Sequence, residues 1–192
     1  MTKISFLSTL VAFSLLLSAC SKNEETSSTS SSVEEANSIL STNEYILTAL
    51  DKKQFVIKKE SAGFTLEGAK GKVIILDIFA TWCPPCQAEA SHLTALTKKY
   101  KDSLVVLGIT IEQNIENSKL QAFKKEFDAQ YSLVNSNENG RLIDAITSKL
   151  NIGRNFGIPL MVMYKDGKLI NFYQGAVEEE FLESDIKQAL GK

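Results

Sequence analysis

The chain has 192 residues, 44% of them hydrophobic, and a formal net charge of −2. That length supports one domain with a sizeable core and is thin for two. No basic patch with interleaved aromatics is present, so nucleic acid is not an expected partner.

Lys3 precedes an apolar segment, residues 10–20, that ends Leu17-Ser18-Ala19-Cys20. A short apolar run behind a basic residue, closing on small residues, has the pattern of a secretory signal peptide. It is shorter than the roughly 20 apolar residues a membrane-spanning helix needs. Its last four residues resemble the bacterial lipobox, whose cysteine is acylated before cleavage. The resemblance implies a signal peptide over 1–19 and a lipid on Cys20. Residues 21–32 are dominated by Ser, Thr, Asn and Glu. Such a tract cannot bury apolar surface and is expected to stay disordered. Residues 33–41 either form a short helix or continue the linker. The expected organisation is a signal over 1–19, a lipid-anchored tether over 20–43 and a folded domain over 44–192.

Within the domain, residues 45–50 and 54–57 read as two strands joined by the turn Asp51-Lys52-Lys53. Residues 64–66 form a further short extended piece. Residues 73–80 are nearly continuously apolar, the pattern of a central strand covered on both faces. Ala90, Leu93, Leu96, Thr97 and Tyr100 then fall on one helical stripe. Residues 104–110 give the next buried strand, and Leu120, Phe123 and Phe127 mark a helix. Residues 131–134 are a short strand, and Leu142, Ile143, Ile146 and Leu150 mark another helix. Residues 160–164 and 168–173 pair through an Asp166-Gly167 turn. Phe181, Leu182, Ile186 and Leu190 close the chain with a helix. The order requires an α/β fold: a central mixed sheet with helices on both faces, preceded by an N-terminal hairpin.

The chemistry concentrates at Cys83-Pro84-Pro85-Cys86, between a buried strand and a helix. A Cys-x-x-Cys alone also occurs in zinc knuckles and haem attachment sites. Zinc needs a second ligand pair, and the chain offers only Cys20 and His92. Haem attachment needs His directly after the second cysteine, where Gln87 stands. Redox chemistry remains, the alternative being an inert pair of buried thiols. The first thiol sits at a helix N-terminus, where N–H groups and the helix dipole favour a thiolate. The second is close enough to attack a mixed disulfide and release the client. On this reading Cys83 is the exposed nucleophile and Cys86 the shielded partner. Export agrees, because disulfides persist outside the cytosol. Asp77 interrupts the apolar strand. Buried, its carboxyl would titrate above the usual range; the alternative is a strand-end carboxylate facing water. Glu89, one turn past Cys86, either tunes the thiols or is a helix-surface charge. His92 reads as a surface residue.

Phe79-Ala80-Thr81-Trp82-Cys83-Pro84-Pro85-Cys86 resembles the active site of the thioredoxin superfamily. Asn155-Phe156-Gly157-Ile158-Pro159 resembles that family's cis-proline loop, and Tyr173-Gln174-Gly175-Ala176 its closing strand. The helix-strand-helix stretch between Ile115 and Leu150, with Ala88-Glu89, resembles the TlpA/ResA-like branch. These are exported, membrane-tethered thiol-disulfide oxidoreductases, several of which act in cytochrome c maturation. The resemblance implies a cofactor-free enzyme without a metal, with Cys83, Cys86, Asp77 and Pro159 as catalytic residues. Trp82, Pro84, Pro85, Glu89 and Ile158 surround them, and Asp77 is the proton acceptor for Cys86. It further implies disulfide-bearing exported proteins as clients, apocytochrome c among them. A membrane thiol donor, a lipid anchor and a cell-envelope location facing the periplasm or extracytoplasmic space complete the expectation.

The chain departs from the branch at Ser91, where proline is common, at Leu160, where threonine follows the cis-proline, and at Asp77, where asparagine is frequent. The alternative function is a copper-binding or copper-delivery protein of the same fold. Such sites need a histidine near the proline loop, and none is there. A peroxidase would need a lone peroxidatic cysteine rather than a pair.

Overall fold

The computed structural model describes residues 43–192; the signal segment, Cys20 and nearly all of the expected tether lie outside the described residues. Glu44–Thr48 (β1) and Gln54–Lys59 (β2) form the expected hairpin. Its turn passes through Lys52 in the left-handed region, at φ 66°. Phe64–Leu66 (β3) pairs with β2 and extends the hairpin to a separate three-stranded sheet. β1 is shorter than expected. Ala49 leaves it to bridge Val134, and Leu50 donates its N–H to the Leu133 carbonyl.

The second sheet has the order β6-β5-β4-β7-β8. Val73–Phe79 (β4), Leu104–Thr110 (β5) and Ser132–Val134 (β6) run parallel. Leu160–Lys165 (β7) and Lys168–Gln174 (β8) are antiparallel to their neighbours. Pro84–Lys99 (α1), Asn117–Glu126 (α2), Asn139–Leu150 (α3) and Glu179–Leu190 (α4) supply the layers. All seven residues of β4 are buried, as its unbroken apolar run requires.

Alternation along β4 divides the core. Ile74, Leu76 and Ile78 pack with α3 and the small sheet. Val73, Ile75 and Phe79 pack with α1, α2 and α4, among residues that include Cys83 and Cys86. Side chains two apart on a strand share a face. Asp77 therefore points into the layer that carries the cysteines. Among the described residues no helix is long and apolar enough to cross a membrane.

Candidate active site

β4 delivers the chain to the site, and α1 receives it. Cys83 is the N-cap of α1, with φ −91° and ψ 110°, and its Sγ accepts the Cys86 N–H at 3.3 Å. Pro84 and Pro85 open the helix, where proline's fixed φ fits and a missing N–H leaves no helical bond unmade. Cys83 and Cys86 are disulfide-bonded, with Cα atoms 5.2 Å apart. Both residues are only 3% exposed. This corrects the expectation of an exposed Cys83. Ile158, from the proline loop, packs against the cluster that holds both cysteines. The Ile158–Pro159 peptide is cis, and the Ile158 carbonyl oxygen lies 3.7 Å from Cys83 Sγ. Pro159 is held in turn by the Gly175 N–H on its carbonyl. Trp82, beside the pair, is 64% exposed and offers an open aromatic face.

The loop ahead of Cys83 is clasped from two sides. Glu112 accepts the Thr81 N–H at 2.6 Å and the Thr81 hydroxyl at 3.0 Å. Gln87 donates to the Thr81 carbonyl at 2.8 Å. Thr110 steadies the carboxylate by donating its hydroxyl at 3.3 Å and by accepting the Glu112 N–H. Glu112 escapes a reading of the sequence, because it meets Thr81 from 31 positions away, past the end of β5.

Two carboxyls lie in the layer beneath. Asp77 is 3% exposed, inside β4 rather than at its end, so the water-facing alternative fails. Its Oδ2 accepts the Tyr131 hydroxyl at 3.1 Å, while Oδ1 has no partner. Burial pushes its carboxyl up from 3.8 to about 7; the Tyr131 hydrogen bond opposes that shift and nearby Glu89 adds to it. Glu89 is 1% exposed, which overturns its reading as a surface charge. Its Oε2 accepts the Val177 N–H at 3.0 Å. Burial raises its carboxyl, with the Val177 N–H and His92 pulling it partly back. His92 is partly exposed, and its Nδ1 stands 3.8 Å from Glu89 Oε1, an ion-pair distance when protonated and too long for a hydrogen bond. α1 runs unbroken through Ser91. Leu160, fully buried, begins β7 directly after Pro159.

A mixed sheet that presents a Cys-x-x-Cys pair at a helix N-terminus, against a cis-proline loop, defines the thioredoxin-like class. The chain belongs to the redoxin family, whose model matches residues 48–190. It is similar to the thiol-disulfide oxidoreductase ResA of Bacillus thuringiensis, at 29% identity over 133 residues, covering 67% of this chain and 70% of ResA. A thioredoxin-family thiol:disulfide interchange protein from Chlorobium tepidum superposes with a TM-score of 0.62 at 22% identity, covering 78% of this chain and 94% of that one. A secreted Mycobacterium tuberculosis disulfide oxidoreductase gives 0.54 at 20% identity, covering 75% and 95%. The protein is a TlpA/ResA-like member of the thioredoxin superfamily and a thiol-disulfide oxidoreductase.

Proposed function

We propose that Cys83 and Cys86 form the dithiol with which this oxidoreductase reduces disulfides in exported proteins, apocytochrome c among the candidate clients. The observation that carries the reading is the N-cap position of Cys83, its sulfur accepting the first free N–H of α1 beside the Ile158 carbonyl. A thiolate there is stabilised by the N–H groups and the helix dipole. The Cys83 thiolate attacks one sulfur of a client disulfide, and the other client sulfur leaves as a thiolate. Cys86 then loses its proton and attacks Cys83 Sγ. The Cys83–Cys86 bond forms, the second client thiolate leaves, and two electrons have passed to the client. A thiol donor at the membrane restores the pair by the reverse exchange. Pro159 supplies the backbone against which the client strand lies, and Trp82 the aromatic face.

The direction is set by reduction potential. In growing cells, thiol trapping should find Cys83 and Cys86 mostly reduced, and the purified pair should have a potential well below that of an oxidase. A pair found chiefly oxidised in vivo would make the protein an oxidase and sink the reductase reading.

The same reading places the domain outside the cytosol, on a lipid carried by Cys20 and a polar tether. Support comes from the signal-like segment and lipobox at 1–20 and from the secreted structural neighbour. Cys20→Ser should therefore release the protein from membranes. Stable anchoring takes more than one acyl chain, and a lipobox cysteine carries two or three. A Cys20→Ser protein that stays on membranes through salt washing would refute the anchor.

A further inference from the structure

β5 reads Leu-Val-Val-Leu-Gly-Ile-Thr, and Gly108 is its one residue without a side chain. Glycine inside a strand forgoes packing and weakens the strand, and it often marks a place where another group must come close. The pairing register puts Gly108 between Asp77 on β4 and Leu133 on β6. A Cβ at Gly108 would stand 3.0 Å from Tyr131 Cε2, 2.7 Å from Leu133 Cδ2 and 3.2 Å from Phe79 Cε1. The space a side chain would need is taken by Leu133, by the Tyr131 ring and by Phe79 together. Tyr131 comes from the segment before β6, crosses the Gly108 position and reaches Asp77. It is 4% exposed, and its own carbonyl is held by the Lys124 ammonium at 2.6 Å.

We propose that Tyr131, admitted by Gly108, is a positioning residue for Asp77: its hydroxyl occupies Oδ2 and turns the free Oδ1 toward proton transfer from Cys86. This rests on the dithiol reading above. In the resolving step the Cys86 proton moves to Asp77 Oδ1 as Cys86 sulfur bonds to Cys83 Sγ. The electron pair of the broken mixed disulfide leaves on the client sulfur. When the donor re-reduces the pair, Asp77 returns the proton.

The groups that bear on Asp77 are few. α1 contributes Glu89, with His92 behind it; the cysteines lie in the same buried layer. The segment before β6 contributes Tyr131, with Lys124 of α2 on its carbonyl. β7 pairs Met161 with Asp77, and α4 lends Leu182 and Ile186 to the layer that Asp77 points into; none of the three titrates. The Tyr131 hydroxyl is thus the sole hydrogen-bond donor given to Asp77 among the described residues.

The test is the pH dependence of single-turnover disulfide reduction, followed by Trp82 fluorescence in the full protein. Tyr131→Phe keeps the ring and removes the donor. A carboxylate that loses a donor becomes harder to ionise. The acid limb should move to higher pH by about one unit, with the rate at pH 7 falling several-fold. In an Asp77→Asn background, Tyr131→Phe should change the profile no further, whereas a packing role would still show. Gly108→Ala, whose methyl would crowd Leu133 and the Tyr131 ring together, should shift the limb the same way and serves if Tyr131→Phe does not fold. An unmoved limb in both variants, with Asp77→Asn abolishing it, would overturn the role of Tyr131 and leave the dithiol reading standing. A limb that survives Asp77→Asn would overturn the proposal together with the proton-acceptor role of Asp77. A wild-type protein that reduces no disulfide would overturn the dithiol reading itself.

Discussion

A Cys86→Ala protein should accumulate its clients as mixed disulfides on Cys83, and Cys83→Ala should hold none. The asymmetry follows from place rather than from exposure, since both residues are almost fully buried. Cys83 precedes the helix, and its sulfur faces the N–H of Cys86 and the Ile158 carbonyl. On the proposed reading, it alone combines the stabilising end of α1 with the proline loop against which a client would lie. Cys86 lies one turn inside the helix, bonded to the sulfur of Cys83. Without Cys86 the first exchange proceeds and the second has no nucleophile. Multiple-turnover reduction should disappear in both variants, and trapping should separate them. Non-reducing gels of cells carrying each variant, repeated with added reductant, would read the result. Equal trapping by both variants would show that the roles are wrongly divided.

Asp77→Asn should slow the protein and stabilise it at the same time, with the stabilisation confined to neutral and alkaline pH. Asn has the same shape and can still accept the Tyr131 hydroxyl. It cannot take a proton from Cys86. General-base contributions of this kind are about 10²–10⁴-fold, so the neutral-pH rate should fall by about 100-fold or more. The stability effect carries a sign that can be worked out. The folded carboxyl titrates near 7 and the unfolded one near 3.8. Between those values the folded state holds a proton that the unfolded state has lost, so stability rises as pH falls. Above pH 7 the native protein bears the full cost of an ionised buried acid, on the order of 4 kcal/mol. Below pH 4 the carboxyl is neutral in both states and that cost is gone. Asn removes the cost but buries an amide, which returns about 1–3 kcal/mol. The variant should melt roughly 5 °C higher at pH 8 and no higher, or lower, at pH 4. Melting curves at the two pH values, beside stopped-flow reduction, would check both halves. Unchanged rates from pH 6 to 9 with a loss of stability would mark Asp77 as structural.

The parts of the site that can be read from the sequence are those whose chemistry is local. Cys83 and Cys86 are legible because their spacing and their place before a helix are themselves the device. Asp77 is legible as a candidate because it interrupts an apolar run, and its place inside β4 rather than at its end decides that it is buried. The helices and strands follow from period, and β1 falls short only because Ala49 and Leu50 leave it for β6. The long-range partners are not legible. Nothing near Thr81 announces Glu112, and nothing near Asp77 announces Tyr131, 54 positions away. Glu89 could be a surface charge until the loop at Val177 is seen to close over it. A helix cap reads as exposed, and the burial of Cys83 depends in part on the proline loop that returns from position 158 to pack against its cluster. Gly108 carries a faint signal, a side-chain gap in an apolar strand, whose meaning depends on the Leu133, Tyr131 and Phe79 side chains that crowd it.

The bridge between Ala49 and Val134 has a consequence for how copies of this protein can meet. A sheet with two bare rims can stack strand to strand without limit. Here β6 is partly occupied: Leu50 donates to the Leu133 carbonyl, and Asn135 donates to the Thr48 carbonyl. The remaining rim, β8, is well exposed along its length. Two copies could zip together rim to rim through β8, but this sheet could not be extended in the same way past β6. The hairpin ahead of the five-stranded sheet thus caps one of that sheet's two edges and leaves rim-to-rim growth to the other.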